Sequence, residues 1–181
     1  MKKLILTLST IILVASLAVC QDDQGTGDAY INQMSNFSFD GQQVFQENDL
    51  LLIQTGANNQ ARVSQSQGQA GAHSAAVIQF GIKESVVLSQ SGANNQAAIT
   101  QFGYNNSVDV AQTGNFSSSL VIQNGWNNNV EQELGASEAS FTVIQNGANW
   151  GVIDTGFNAN SPGYTIKQEG LVGVTVTVQH Q

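Results

Sequence analysis

Gln90-Ser91-Gly92-Ala93-Asn94-Asn95-Gln96-Ala97-Ala98-Ile99-Thr100-Gln101 is the stretch that decides how this chain folds. The same order of residues returns on both sides of it. Gln101-Phe102-Gly103 leads to Asn106, Val108, Val110 and Gln112, and Gln54 leads to Gly56, Asn59, Ala61, Val63 and Gln65. An earlier unit supplies Asn48, Leu50, Leu52 and Gln54. The common form is Gln-x-Gly-x-x-Asn-x-apolar-x-apolar-x-Gln. Gln stands at 43, 54, 65, 79, 90, 101, 112, 123, 145, 168 and 179, and every step from 79 to 123 is eleven residues. Three extra residues enter between Gln65 and Gln79, one enters between Gln145 and Gln168, and Leu134 stands where a Gln is due. Twelve units with four inserted residues fill the span from Gln43 to Gln179, and a period of this kind marks a repeat architecture.

Within a unit, Asn, two apolar residues and Gln occupy alternate positions, which is the period of a β-strand. They share one face. The other face carries Gln60, Arg62 and Ser64, then Ser85, Val87 and Ser89, then Ser107, Asp109 and Ala111. Turns are expected at Gly56, Gly81, Gly92, Gly103, Gly114, Gly125 and Gly147, because Gly and Asn tolerate positive φ. A strand of five to seven residues and a tight turn use up the unit.

Eleven residues cannot bury an apolar face alone, so two units must face one another in a layer of about 22 residues. The expected fold is all-β: a two-sheet β-solenoid of stacked strand-turn-strand layers, cross-β in character, with alternate units in opposite sheets. Six layers at about 4.8 Å would stand roughly 29 Å tall. Interior amides at Asn48, Gln54, Asn59, Gln65, Gln79, Gln90, Asn95, Gln101, Asn106, Gln112, Gln123, Asn128 and Gln145 would then form ladders. Each would lie above an identical residue and exchange side-chain hydrogen bonds along the stack, avoiding the cost of burying unpaired polar groups. Open strands at the ends of such a solenoid could be extended by another copy.

Composition narrows the function classes. The 181 residues include 22 Gln, 18 Asn and 18 Gly, a mixture that opposes a helical bundle. Five basic residues against thirteen acidic ones oppose nucleic-acid binding. One Cys excludes a disulfide framework or a cysteine-based metal site. Residues 1–20 read as a secretory signal peptide: Lys2 and Lys3, an apolar run from Leu4 to Val19, then the polar Gln21-Asp22-Asp23-Gln24. Two exits fit, simple cleavage between Cys20 and Gln21 or lipidation of Cys20 within the lipobox-like Leu17-Ala18-Val19-Cys20. Cleavage would leave three basic against thirteen acidic residues, a net charge of −10. The expected organisation is a signal peptide over 1–20, a secretion-targeting, flexible segment over 21–42 and the repeat domain over 43–181. Phe37, Phe39 and a weak alternation leave an extra strand open within 21–42.

The unit Gln-x-Gly-x-x-Asn-x-Ala-x-Ile-x-Gln at 90–101 is similar to the repeat of the curlins, the subunits of curli amyloid fibres, and the resemblance covers about 43–179. It implies a secreted bacterial subunit that self-assembles on the cell surface into biofilm matrix fibres that serve adhesion. Implied partners are further copies of itself, a nucleator or major subunit of the same fibre, and the outer-membrane curli secretion channel with its accessory proteins. No nucleic acid, cofactor or metal is implied, and no catalytic residue. The major fibre subunit is the expected role, with the minor nucleator or a ligand- or ice-binding solenoid as alternatives.

Several positions depart from the pattern. His73, Glu84, Ser117 and Trp150 stand where Asn is due, Ala139 lacks the amide, and Pro162 belongs at an edge or loop. Val174, Val176 and Val178 run out of phase with Gln179, so a register shift or a different partner is expected there. His73 reads as a substituted ladder position rather than a metal ligand. Glu131 and Glu133 read as outward charges that limit lateral association rather than an acid–base pair. The regular interior from Gln79 to Gln123 is the expected amyloid core.

Overall fold

The computed structural model describes residues 48–67, 71–135, 137–155, 163–171 and 173–179, together with the backbone of 17–22 and 28–34. The strands in chain order are β1 (Leu17–Asp22), β2 (Asp28–Met34), β3 (Asp49–Ala57), β4 (Gln60–Gln67), β5 (Ser74–Ile82), β6 (Ser85–Gly92) and β7 (Gln96–Tyr104). They continue as β8 (Ser107–Gln112), β9 (Ser118–Trp126), β10 (Asn129–Leu134), β11 (Ser140–Ala148), β12 (Gly151–Thr155), β13 (Gly163–Gly170) and β14 (Thr175–Gln179). Odd strands form one seven-stranded sheet and even strands the other, with neighbours parallel in both. This is the expected two-sheet β-solenoid.

Alternation in the sequence becomes alternation in burial. Ala97 and Ile99 in β7 and Val108 and Val110 in β8 are buried, while Gln96 and Asp109 on the other face are exposed. Stacking repeats this in successive layers, so Val77, Ile99, Val121 and Val143 form a continuous apolar column. Each added layer extends a core that no single layer could close.

Insertions fall between strands and leave the register intact. Gln54 pairs with Gln79 and Gln65 with Gln90 across the three-residue excess, and Gln145 pairs with Gln168 across the single one. A slip inside a strand would turn its apolar face to water, whereas a longer turn costs little. The last unit breaks the eleven-residue count. Val176 aligns with Val152 and Val178 with Asp154, leaving Gln179 beside Thr155 and exposed. The half-buried Val176 and Val178 take the inward positions in place of the amide, and one further residue enters between β13 and β14. At the other end Gln33 aligns with Gln65 and Cys20 with Gln54. Gln43 and Pro162 lie outside the described residues.

Turns combine a glycine with a left-handed residue two positions on, as in Gly103 (φ 131) with Asn105 (φ 57) and Gly125 (φ 137) with Asn127 (φ 55). Gly114 departs from expectation: its φ is not positive, and the left-handed residue of that turn is Phe116 (φ 57). At Gly125 the backbone passes so close to the next layer that an added Cβ would lie 1.7 Å from the Gly147 carbonyl oxygen. Gly125→Ala therefore combines a backbone conformation worth about 1–3 kcal/mol of strain with a steric overlap that only layer separation relieves. Urea unfolding should show a loss above that range. A loss under about 0.5 kcal/mol would contradict the close approach.

Candidate functional site

Two rows of glutamine run along the core. In the odd sheet Gln54, Gln79, Gln101, Gln123, Gln145 and Gln168 stack, each Nε2 donating to the Oε1 of the next at 2.7, 2.8, 2.9, 2.9 and 2.8 Å. Nε2 also donates across the layer to a backbone carbonyl of the opposite sheet, as from Gln101 to Ser85 (3.0 Å) and from Gln123 to Ser107 (2.9 Å). Both N–H groups are therefore used on a side chain shut off from water. In the even sheet Gln65 donates to Gln90 and Gln90 to Gln112 at 3.0 and 2.8 Å. There the row stops, because Leu134 occupies the next rung, and Gln112 donates to the carbonyls of Gln96 and Ser117.

Asparagine works differently from a side-chain ladder. Asn95 Oδ1 accepts from the backbone N–H of Ser117, and Asn106 Oδ1 from that of Asn128. Nδ2 of Asn95 donates to the carbonyls of Ser91 and Gly114, both at 2.8 Å. Asn59, Asn106 and Asn128 similarly donate to the carbonyls of Gly81, Gly125 and Gly147 in the next layer. Asn48 Oδ1 accepts from the N–H of His73. Each Asn side chain bolts one turn to the backbone of the turn above it. The inward Asn side chains reach backbone rather than their counterparts, whereas Gln, one methylene longer and within a strand, reaches its neighbour. The exposed turn residues Asn105, Asn127 and Asn149 do bond side chain to side chain, at 2.8 and 3.3 Å.

Substituted positions keep part of this chemistry. His73 Nδ1 accepts from the N–H of Asn95 at 3.3 Å, so its proton sits on Nε2, which donates to the Ser66 carbonyl. Burial lowers the His73 pKa below its ordinary value against that carbonyl's pull. Glu84, fully buried, accepts at Oε2 from the N–H of Asn106 and at Oε1 from its Nδ2. Burial pushes the Glu84 carboxyl up to about 7 despite those two bonds. Trp150 keeps the donor alone, its Nε1 reaching the Asn146 carbonyl. On the outer face Asp109 is raised by burial and by neighbouring Glu131.

One polar cluster escaped the sequence reading. Ser119, Gln132 and Asp154 occupy inward positions that are apolar in other layers. Ser119 donates to Gln132 Oε1, Gln132 Nε2 donates to the Tyr164 hydroxyl, and Tyr164 donates to Asp154 Oδ2. Burial and the Asp154 carboxylate raise the Tyr164 pKa. The signal was present: Gln132 and Asp154 are 22 residues apart, the same position in adjacent layers.

Fold and rows together define a parallel two-sheet β-solenoid whose polar interior is arranged along its axis. The family model of the curlin associated repeat matches residues 85–114, the segment holding β6, β7 and β8 with Gln90, Asn95, Gln101, Asn106 and Gln112, consistent with a curlin repeat family. No curated protein and no solved structure matches the chain.

Proposed function

We propose that this protein is a curli-type fibre subunit, exported after removal of residues 1–20 and polymerised by stacking end on end into an extracellular matrix fibre. The observation that carries the reading is the direction of the glutamine row. From Gln54 to Gln168 each Nε2 points toward the C-terminal end and each Oε1 toward the N-terminal end. Such a stack has two different ends, so copies that continue it meet head to tail, and layers added along one straight axis do not close on themselves and give an open filament. Cleavage between Cys20 and Gln21 would divide β1, the strand that pairs with β3. That would present β3 to the last odd strand, β13, of another copy. The regular interior and acidic balance support the major subunit; a nucleator of the same fibre and the outer-membrane export channel are its partners in this reading.

Chain 21–181 should start soluble and then form filaments that bind thioflavin and give a meridional reflection at about 4.7–4.8 Å. Protein that stayed monomeric for days near the sequence pI of 4.3, and also at raised salt with seeds present, would refute the assignment.

A further inference from the structure

The two outer faces of the solenoid are unlike. On the even sheet the outward residues include Arg62, Asp109, Glu131 and Glu133, with Asp109 stacked directly on Glu131. On the odd sheet, from β3 to β11, the central outward row is Ile53, Ile78, Thr100, Ile122 and Ile144. Beside it run Leu51, Ala76, Ala98 and Leu120 on one side and Phe80 and Phe102 on the other. From β3 to β11 these three rows carry no charged residue; on β13 they continue as Thr165, Lys167 and Glu169, the last two ion-paired at 2.8 Å. Leu51 is 37% exposed, Phe80 38%, Phe102 41% and Leu120 36%. The two Phe rings stack with centroids 5.2 Å apart and nearly parallel, continuing the axial repeat along the flank of the face.

We infer that the outer face of the odd sheet is a lateral interface through which two filaments of this chain pair, face to face. The inference rests on the stacking proposed above. Charge selects the occupant. Chain 21–181, with a net charge of −10, repels its own copies. On these three rows of the odd face, from β3 to β11, two copies can meet without bringing acids together, and the acid that continues them on β13, Glu169, is ion-paired with Lys167. Asp109, Glu131 and Glu133 oppose the same contact on the even face. Shape agrees with charge, because the β-branched row forms a ridge beside the small side chains of Ala76 and Ala98.

Area explains why pairing follows stacking. Five strands about 4.8 Å apart and three side-chain rows cover about 24 by 20 Å, roughly 1,000 Å² in total for one pair of chains. Stable specific interfaces bury about 1,200–2,000 Å². One chain against another falls short. Stacked chains present the same face repeatedly, so contacts add along the filament as in any multivalent binding.

Mass per unit length, measured by scanning transmission electron microscopy on filaments grown from chain 21–181, tests this directly. The parent should carry about two chains per 29–34 Å of axis, the height of six or seven layers. Thr100→Glu and Ile122→Glu, made separately, should still give filaments with the same meridional reflection but half the mass per length. Val87→Glu and Ser89→Glu place the same charge on the even face and should leave the doubled mass unchanged. Parent filaments with one chain per stack would overturn the pairing and leave the fibre reading intact. So would doubled mass in both odd-face variants, or halving by the even-face controls. A parent that forms no filaments would overturn both.

Discussion

Replacing Gln101 by Ala is expected to destabilise the soluble chain by roughly 2–6 kcal/mol. Gln101 accepts from Gln79 and donates to Gln123 and to the Ser85 carbonyl, all within the core. The substitution leaves the Gln79 Nε2 without an acceptor on that side and removes the donor that Gln101 supplies to the Gln123 Oε1. Each orphaned buried group costs about 1–3 kcal/mol. Gln96, five residues away, is exposed on the opposite face, and Gln96→Ala should change stability by no more than about 0.5 kcal/mol. Urea unfolding reads the difference, and thioflavin-monitored growth should slow for Gln101→Ala alone. Equal effects at the two positions would mean that the assignment of the two faces is wrong.

Glu84→Gln should do the opposite, increasingly as pH rises above about 4.5. Burial raises the Glu84 pKa from 4.5 to about 7, so the folded chain binds this proton more tightly than the unfolded one. Its contribution to stability is complete below about pH 4.5 and is lost as pH rises through about 7. At about 1.4 kcal/mol per pH unit, the loss reaches about 3 kcal/mol by pH 8. Gln keeps an acceptor for the Asn106 N–H and carries no charge. The variant should therefore exceed the parent by about 3 kcal/mol at pH 8 and match it at pH 4.5. The residues above and below are the amides Asn59 and Asn106, which offer the ionised carboxylate no opposite charge. A parallel pH dependence in the two proteins would show that Glu84 is not the group responsible. His73 pulls the other way, since its lowered pKa means stability is lost as pH falls below its ordinary range. Acid thus relieves Glu84 and the Asp109–Glu131 repulsion while it strains His73.

Spacing carried most of the fold. Eleven-residue steps of Gln, with Asn and two apolar residues in alternation, specify strands, layers and the pairing of Gln79 with Gln101 and of Gln90 with Gln112, because one column can satisfy each only in that register. Glycines read as turns correctly wherever the backbone nearly touches the next layer, as at Gly103 and Gly125. Gly114 misled, because a turn needs one left-handed residue and Phe116 supplies it there. Gln179 misled too. The periodic count includes it, but Val176 and Val178, both half-buried, take the inward positions of β14 and leave Gln179 on the exposed face.

By itself, then, the sequence determined the period, the two faces of each strand, the division into two sheets and the burial of the amides. Those follow from local alternation and from the inability of a single layer to cover its apolar side. Tertiary structure alone decided what each amide bonds. Gln reaches Gln because both lie within strands 4.8 Å apart, about the reach of a side-chain hydrogen bond. The inward Asn reaches backbone instead because it lies just before a strand, beside the turn-glycine carbonyl of the next layer. Stacking alone also made Glu84 a buried acid between two amides and gave the odd sheet three uncharged outward rows from β3 to β11, since both depend on which residues lie one layer above and below, tens of residues away along the chain.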